Sequence, residues 1–388
     1  MNLFANLSNF QKSLVVAILS ILLYAASTSI SYSLFSTRAI KTDTSQLAST
    51  LPGVANKDGE DPSEPKTEEC PLNGSMHTQK ALDAWKLRRP LAVMIENHTE
   101  ARPQSGLSSA DVVYEVVAEG GITRFMAVFL CHLSDVQVGP VRSARTYFLD
   151  WLSEYDALYA HVGGANSPGP ANALGQIIDY KIKDLNQFGI GFPTYWRDYQ
   201  RLGRAVATEH TMYSTIDKLW TAGEKRGWTA SDSAGLRWDK SFVPWTFKDD
   251  QPSGTTTAIN VNFWDGYKDY AVDWKYEASC NCYKRTNGGQ TQVDLNTNEQ
   301  LSAKNIIVQF MKESHANDGY ENNAHLLYGN KGQGKALIFM DGSVITGTWN
   351  KKTRQSREVF LDAKGKEIAL DRGVIWIQTV PEGSTVTY

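Results

Sequence analysis

Two arginines, Arg142 and Arg145, stand in the stretch VGPVRSARTYFLDWLSEYD, just ahead of Tyr147, Phe148, Trp151, Leu152 and Tyr155. The three- and four-residue spacing of those apolar residues puts them on one face of a helix, with Ser143 expected as its N-cap. A helix N-terminus already carries partial positive charge, so arginines there need something negative between them. Free backbone N–H groups and guanidinium forks suit a phosphate or carboxylate ligand, and they suit a carboxylate of the same chain equally well.

Other residues extend this anion-recognising chemistry. Arg102 lies in HTEARPQSG, a turn-rich loop after an apolar strand, where a side chain can project over strand ends. Asp111 opens the strand ADVVYEVVAEG and could cap a loop, pair with Arg142 or help to hold a divalent cation. Alternation along that strand puts Asp111, Glu115 and Glu119 on one face. Three carboxylates on a face need water, metal or the counter-charges of Arg102, Arg124, Arg142 and Arg145. Arg124, across a Gly120-Gly121 turn from Glu119, is placed for a cross-strand ion pair. His161 ends an apolar run before Gly163 and Gly164; YWRDYQR supplies Arg197, Asp198 and Arg201, and EHTMYS supplies Glu209, His210 and Tyr213. The expected ligand-binding set is Arg102, Asp111, Arg124, Arg142, Arg145, His161, Arg197 and Asp198. Each has a plainer alternative as a structural ion pair or a satisfied core histidine. No catalytic residue is assigned, because no phosphate-binding Gly-rich loop, nucleophile elbow or zinc-protease motif occurs.

The elements that must position these residues change along the chain. PLAVMIEN, ADVVYEVVAEG, TRFMAVFLCHL and ALYAHVGG read as strands, alternating with the Arg142 helix and with a helix in SPGPANALGQII. This predicts an α/β N-terminal domain over 81–225, a mixed sheet with packed helices. A connection follows over 226–254. From 255 to 388 the pattern is strands with turn signals at Asp341-Gly342 and AKGK, a smaller mainly-β C-terminal domain.

Ahead of both lies an N-terminal flank (1–12) and the uncharged stretch Ser13 to Phe35. Its length matches the ~20 residues that span a bilayer, so one transmembrane helix over 13–36 is expected, with a cleavable signal peptide as the rival. A flexible tether over 37–80 would then hold the folded part outside the membrane. The net charge of -3 argues against nucleic acid as a partner. Four cysteines in an exported chain permit disulfides. A Cys70–Cys131 staple is conceivable, the C-x-C of Cys280 and Cys282 is too close for an easy mutual bridge, and structural zinc is not expected.

PLAVMIENHTEARPQSGLSSADVVYEVVAEGGITRFMAVF, followed by VGPVRSAR, YDALYAHVGG, YWRDYQR and EHTMYST, resembles the YerB-like family of bacterial envelope proteins, a domain of unknown function. GTWNK, DAKGKEIAL and GVIWIQTVP resemble that family's second domain. The family is commonly lipidated, and this chain departs in having an apolar N-terminal stretch without a cysteine. The order of Arg102, Asp111, Arg142, Arg145 and His161 is more distantly similar to the LytR–CpsA–Psr phosphotransferases, with different spacings. Two functions follow as expectations. One is a membrane-anchored, extracytoplasmic module that binds an anionic ligand, such as a phosphorylated lipid or glycan, or an envelope protein partner. The other is a metal-dependent transferase acting on a polyprenyl-pyrophosphate-linked glycan, in which case Mg would be the cofactor.

Overall fold

The computed structural model describes residues 59–388, together with Ser20. The expected membrane span, apart from that serine, and the tether as far as residue 58 lie outside the described residues. Among the described residues no helix is long and apolar enough to cross a membrane.

Ten strands make the main sheet: β1 (Leu91–Glu96), β2 (Val112–Glu119), β3 (Ile122–Phe129), β4 (Leu158–His161), β5 (Lys183–Asn186), β6 (Asn305–Met311), β7 (Gly332–Met340), β8 (Ser343–Lys351), β9 (Val359–Leu361) and β10 (Ile375–Pro381). Across the sheet they run β9-β8-β7-β6-β10-β2-β3-β1-β4-β5. Four neighbour pairs are parallel, β6/β10, β10/β2, β1/β4 and β4/β5, and the others are antiparallel. The sheet is mixed, and helices are few. Two turns follow directly from their residues: Gly120-Gly121 between β2 and β3, and Asp341-Gly342 between β7 and β8, have positive φ at both central positions, as tight hairpins require.

The division expected between 225 and 255 does not divide this sheet. β2 and β10 pair in parallel from Val112/Ile375 to Val116/Thr379. Both strands are buried along almost their whole length, so neither could be left as an edge in water. A second, six-stranded antiparallel sheet is built from Ala258–Val261, Val272–Glu277, Cys282–Asn287, Gln290–Thr291, Ser302–Ala303 and Val386–Thr387. It packs on the first through Trp274, whose ring meets Trp376 of β10 edge-on with centroids 5.3 Å apart.

Three local expectations are corrected. Residues 59–80 are not a tether: Cys70 and Leu72 are fully buried, and Glu60 accepts the Thr78 amide at 2.8 Å. The Cys70–Cys131 disulfide fastens this arm to the chain just after β3. Cys280 and Cys282 are bridged to each other. Asn281 between them has φ +44°, a tight reversal that leaves the two Cα atoms 5.2 Å apart. The helix after Arg142 spans only Thr146–Leu152, with Arg145 rather than Ser143 at the N-cap. The chain before it is extended instead, the Arg142 amide donating to Met94 O and the Ala144 amide to Gly163 O.

Candidate ligand cleft

Ion pairs at the end of β1 and at the β2–β3 hairpin shape a cavity of about 550 Å3, lined by Glu96, Glu119, Arg124, Arg142, Arg145 and His210 among others. Glu96 ends β1, in register with Arg124 of β3. One Glu96 oxygen lies 3.1 Å from Arg142 Nε and the other 2.8 Å from His210 Nδ1. Glu119 ends β2 and takes Arg145 Nε on one oxygen and Arg124 Nη2, at 3.4 Å, on the other. Arg124 and Arg145 also donate to the carbonyls of Ser143 and Ala144, at 2.9 and 2.7 Å. The extended segment before the helix is therefore stitched to β2 and β3 by guanidiniums.

Electrostatics separate the three arginines. Burial, and then the neighbouring Arg145, lower Arg124 to about 10. Burial also opposes the charge on Arg145, but Glu119 more than offsets it and leaves its pKa raised. For Glu119, burial is outweighed by Arg124 and Arg145, so its pKa is lowered. The hydrogen bond to Glu96 raises His210. Arg142 differs from the other two. Its side chain is 27 % exposed, and among the described residues no hydrogen bond engages its terminal Nη1 and Nη2. Arg145 Nη2 and Arg124 Nε likewise have no hydrogen bond among the described residues.

The other expected residues lie elsewhere. Arg102 turns back onto Asn97, donating from Nη2 to its carbonyl at 3.0 Å, and stacks over Tyr270 at 5.1 Å. It lines a separate cavity of about 320 Å3 with Thr99, Asp269 and Gln292. Asp111 is buried and accepts the amides of Leu130 and Cys131 at 2.7 and 3.2 Å, beside the disulfide. It is a loop anchor, neither a partner of Arg142 nor a carboxylate open to a metal ion. His161 is fully buried between Gly163 O, at 2.7 Å, and Asp184, at 2.8 Å, the satisfied core histidine. Arg197 is exposed at the end of the short strand Trp196–Arg197 and donates to Thr208 O, and the half-buried Asp198 after it accepts from the Gln200 amide through its carboxylate.

The carboxylates of β2 do not share a face. A register shift between Val117 and Glu119 breaks the alternation. Glu115 is buried against a partner that β-strand spacing could not supply, Arg285 of the second sheet, 2.7 Å away. Glu96, His98 and Glu100, all within ENHTE, are cleft residues outside the expected set. The sequence signal for them is two acids and a histidine within five residues after a buried strand.

A mixed sheet carrying a paired-charge cleft, packed against a second, antiparallel sheet, is the sheet-rich α/β class to which this fold belongs. The chain belongs to the YerB-like family: the model described as "Protein of unknown function (DUF3048) N-terminal domain" matches residues 76–229, and its C-terminal counterpart matches residues 259–377. Among its relatives is YerB of Bacillus subtilis (strain 168), whose name classes it as a candidate lipoprotein, 29% identical over 83% of this chain and 88% of its own. The crystal structure of Bacillus subtilis YerB superposes with a TM-score of 0.69 at 28% identity, covering 83% of this chain and 100% of that one.

Proposed function

We propose that the chain is a membrane-anchored, extracytoplasmic envelope protein whose cleft binds an anionic group, phosphate or carboxylate, as a binding or assembly module. The observation that carries this reading is the guanidinium of Arg142, ion-paired through Nε to Glu96 at 3.1 Å, whose Nη atoms have no hydrogen bond among the described residues. A planar guanidinium fork suits the oxygens of such a group. The lipoprotein name of the relative supports an envelope location, and the uncharged stretch Ser13 to Phe35 supplies the anchor. Binding is favoured over transfer because Asp111, one of the acids that could have helped to hold Mg, is buried, with one oxygen on two backbone amides and the other on Asn73 Nδ2.

Calorimetric titration of the full-length chain with inorganic pyrophosphate tests the reading. Saturable binding that weakens at least about tenfold in Arg142→Gln, the scale of one lost charge-assisted hydrogen-bond pair, is expected. Binding unchanged by that substitution would remove the cleft from the account.

A further inference from the structure

Three residues of the cleft that anion recognition does not use, His98, Glu100 and His210, are arranged as metal ligands. One donor atom from each lies within 4.8 Å of the other two. His210 Nε2 and Glu100 Oε2 are 3.6 Å apart, close to the roughly 3.3 Å that two donors at ~2.0–2.1 Å from a tetrahedral ion subtend. His98 stacks on His210 with ring centroids 4.8 Å apart and planes 14° from parallel. Its Nδ1 accepts the Glu100 amide at 3.2 Å, a bond that ligation through that nitrogen would replace.

The surroundings of His210 match those of a ligating imidazole. It is buried, and its Nδ1 faces Glu96 Oε2 at 2.8 Å. A carboxylate on Nδ1 fixes the tautomer that leaves Nε2 as a lone-pair donor and makes that donor more basic. Glu96 is itself held by Arg142. The charge around the cavity points the same way: five carboxylates (Glu96, Glu100, Glu119, Glu209, Glu321) face three guanidiniums.

We propose that His98, Glu100 and His210 bind a divalent first-row transition-metal ion, with Glu96 as the outer carboxylate that orients His210. Two imidazoles and one carboxylate suit zinc and its neighbours, whereas magnesium and calcium require sets dominated by oxygen. Three protein ligands leave a coordination position for water or for an oxygen of an incoming anion. Arg142 lies on the opposite side of the shared Glu96. The site does not depend on the anion reading: cobalt binding without pyrophosphate binding would leave the metal site standing and refute the other, and the converse outcome would do the reverse.

The test is titration of the metal-free full-length chain with cobalt(II) chloride in phosphate-free buffer. One equivalent is expected to bind with the visible d–d absorption of imidazole-ligated cobalt, and zinc should displace it. His98→Ala and Glu100→Ala remove side chains at the cleft mouth, so the fold is expected to survive; each should weaken binding at least about tenfold. Glu96→Gln should weaken it about 10–100-fold, the range for lost outer-shell carboxylates. Absence of saturable cobalt binding, or binding unchanged in both His98→Ala and Glu100→Ala, would overturn the assignment.

Discussion

Glu358 is a fully buried carboxyl beside another one. Its backbone amide donates to Glu154 Oε2 at 2.8 Å, and Glu154 already holds Tyr114 OH at 2.7 Å and the buried ammonium of Lys351 at 3.0 Å. Burial, reinforced by the Glu154 charge, pushes Glu358 up to about 8, so it is protonated in the fold at neutral pH while an unfolded glutamate is ionised. The sign follows from that difference. The native state keeps its full stability below the unfolded value near 4.5, loses it progressively as pH rises through about 8, and is level beyond. Denaturant midpoints measured across that range should fall with pH, and Glu358→Gln should flatten the curve. A midpoint that rises over the same window would show that Glu358 is ionised in the fold. At this scale the sequence was legible in part. Arg124, Arg142 and Arg145 do converge, and the Glu119–Arg124 pair forms where hairpin spacing put it. His161 met its plainer reading, while Asp111 anchors a loop rather than pairing with Arg142, because burial decides a polar side chain's task, and burial depends on contacts remote in sequence.

Between elements, the two sheets are joined by a buried charge. Arg285 is fully buried, donating to Glu115 at 2.7 Å and to Gln292 at 2.6 Å, with its guanidinium 4.6 Å from the Trp376 ring centroid and 5.1 Å from that of Trp274. The other Glu115 oxygen accepts from Trp376 Nε1 at 3.0 Å and Gln378 Nε2 at 2.9 Å. A buried pair is weak evidence of net stabilisation, but removing one partner strands the other charge. Glu115→Ala should therefore cost about 3–5 kcal/mol in urea denaturation. The double variant Glu115→Leu/Arg285→Met should lose less than the sum of the two singles, and additive losses would contradict the coupling. Strand identities and the two glycine-assisted hairpins were legible because apolar runs and positive-φ residues act locally. The pairing of Glu115 with Arg285 was not, since the two stand 170 positions apart. The Cys280–Cys282 bridge escaped for a local reason, the left-handed conformation of Asn281.

For the whole molecule, the β2–β10 pairing is the feature that sequence periodicity hides. Both strands carry the apolar runs of buried sheet, and nothing in either marks the other as its neighbour. The two matched family regions therefore stabilise one another through a common sheet. Residues 59–254 produced alone would expose β2 as an apolar edge along Val112 to Val116 and should aggregate or remain partly unfolded, which size-exclusion chromatography and hydrogen exchange would reveal. A monomeric, fully protected fragment would show that the N-terminal part needs no strand from the C-terminal one.

On the proposed reading, the Arg142 cleft holds an anionic group in the cell envelope. Native mass spectrometry of the full-length chain, purified from its host's membrane fraction beside a folded Arg142→Ala variant, addresses it most directly. A phosphate- or carboxylate-bearing adduct is expected on the wild-type chain and should be lost from the variant. An identical adduct on both chains, or none on either together with no pyrophosphate binding on titration, would contradict it and leave the arginines as braces for the segment before the helix.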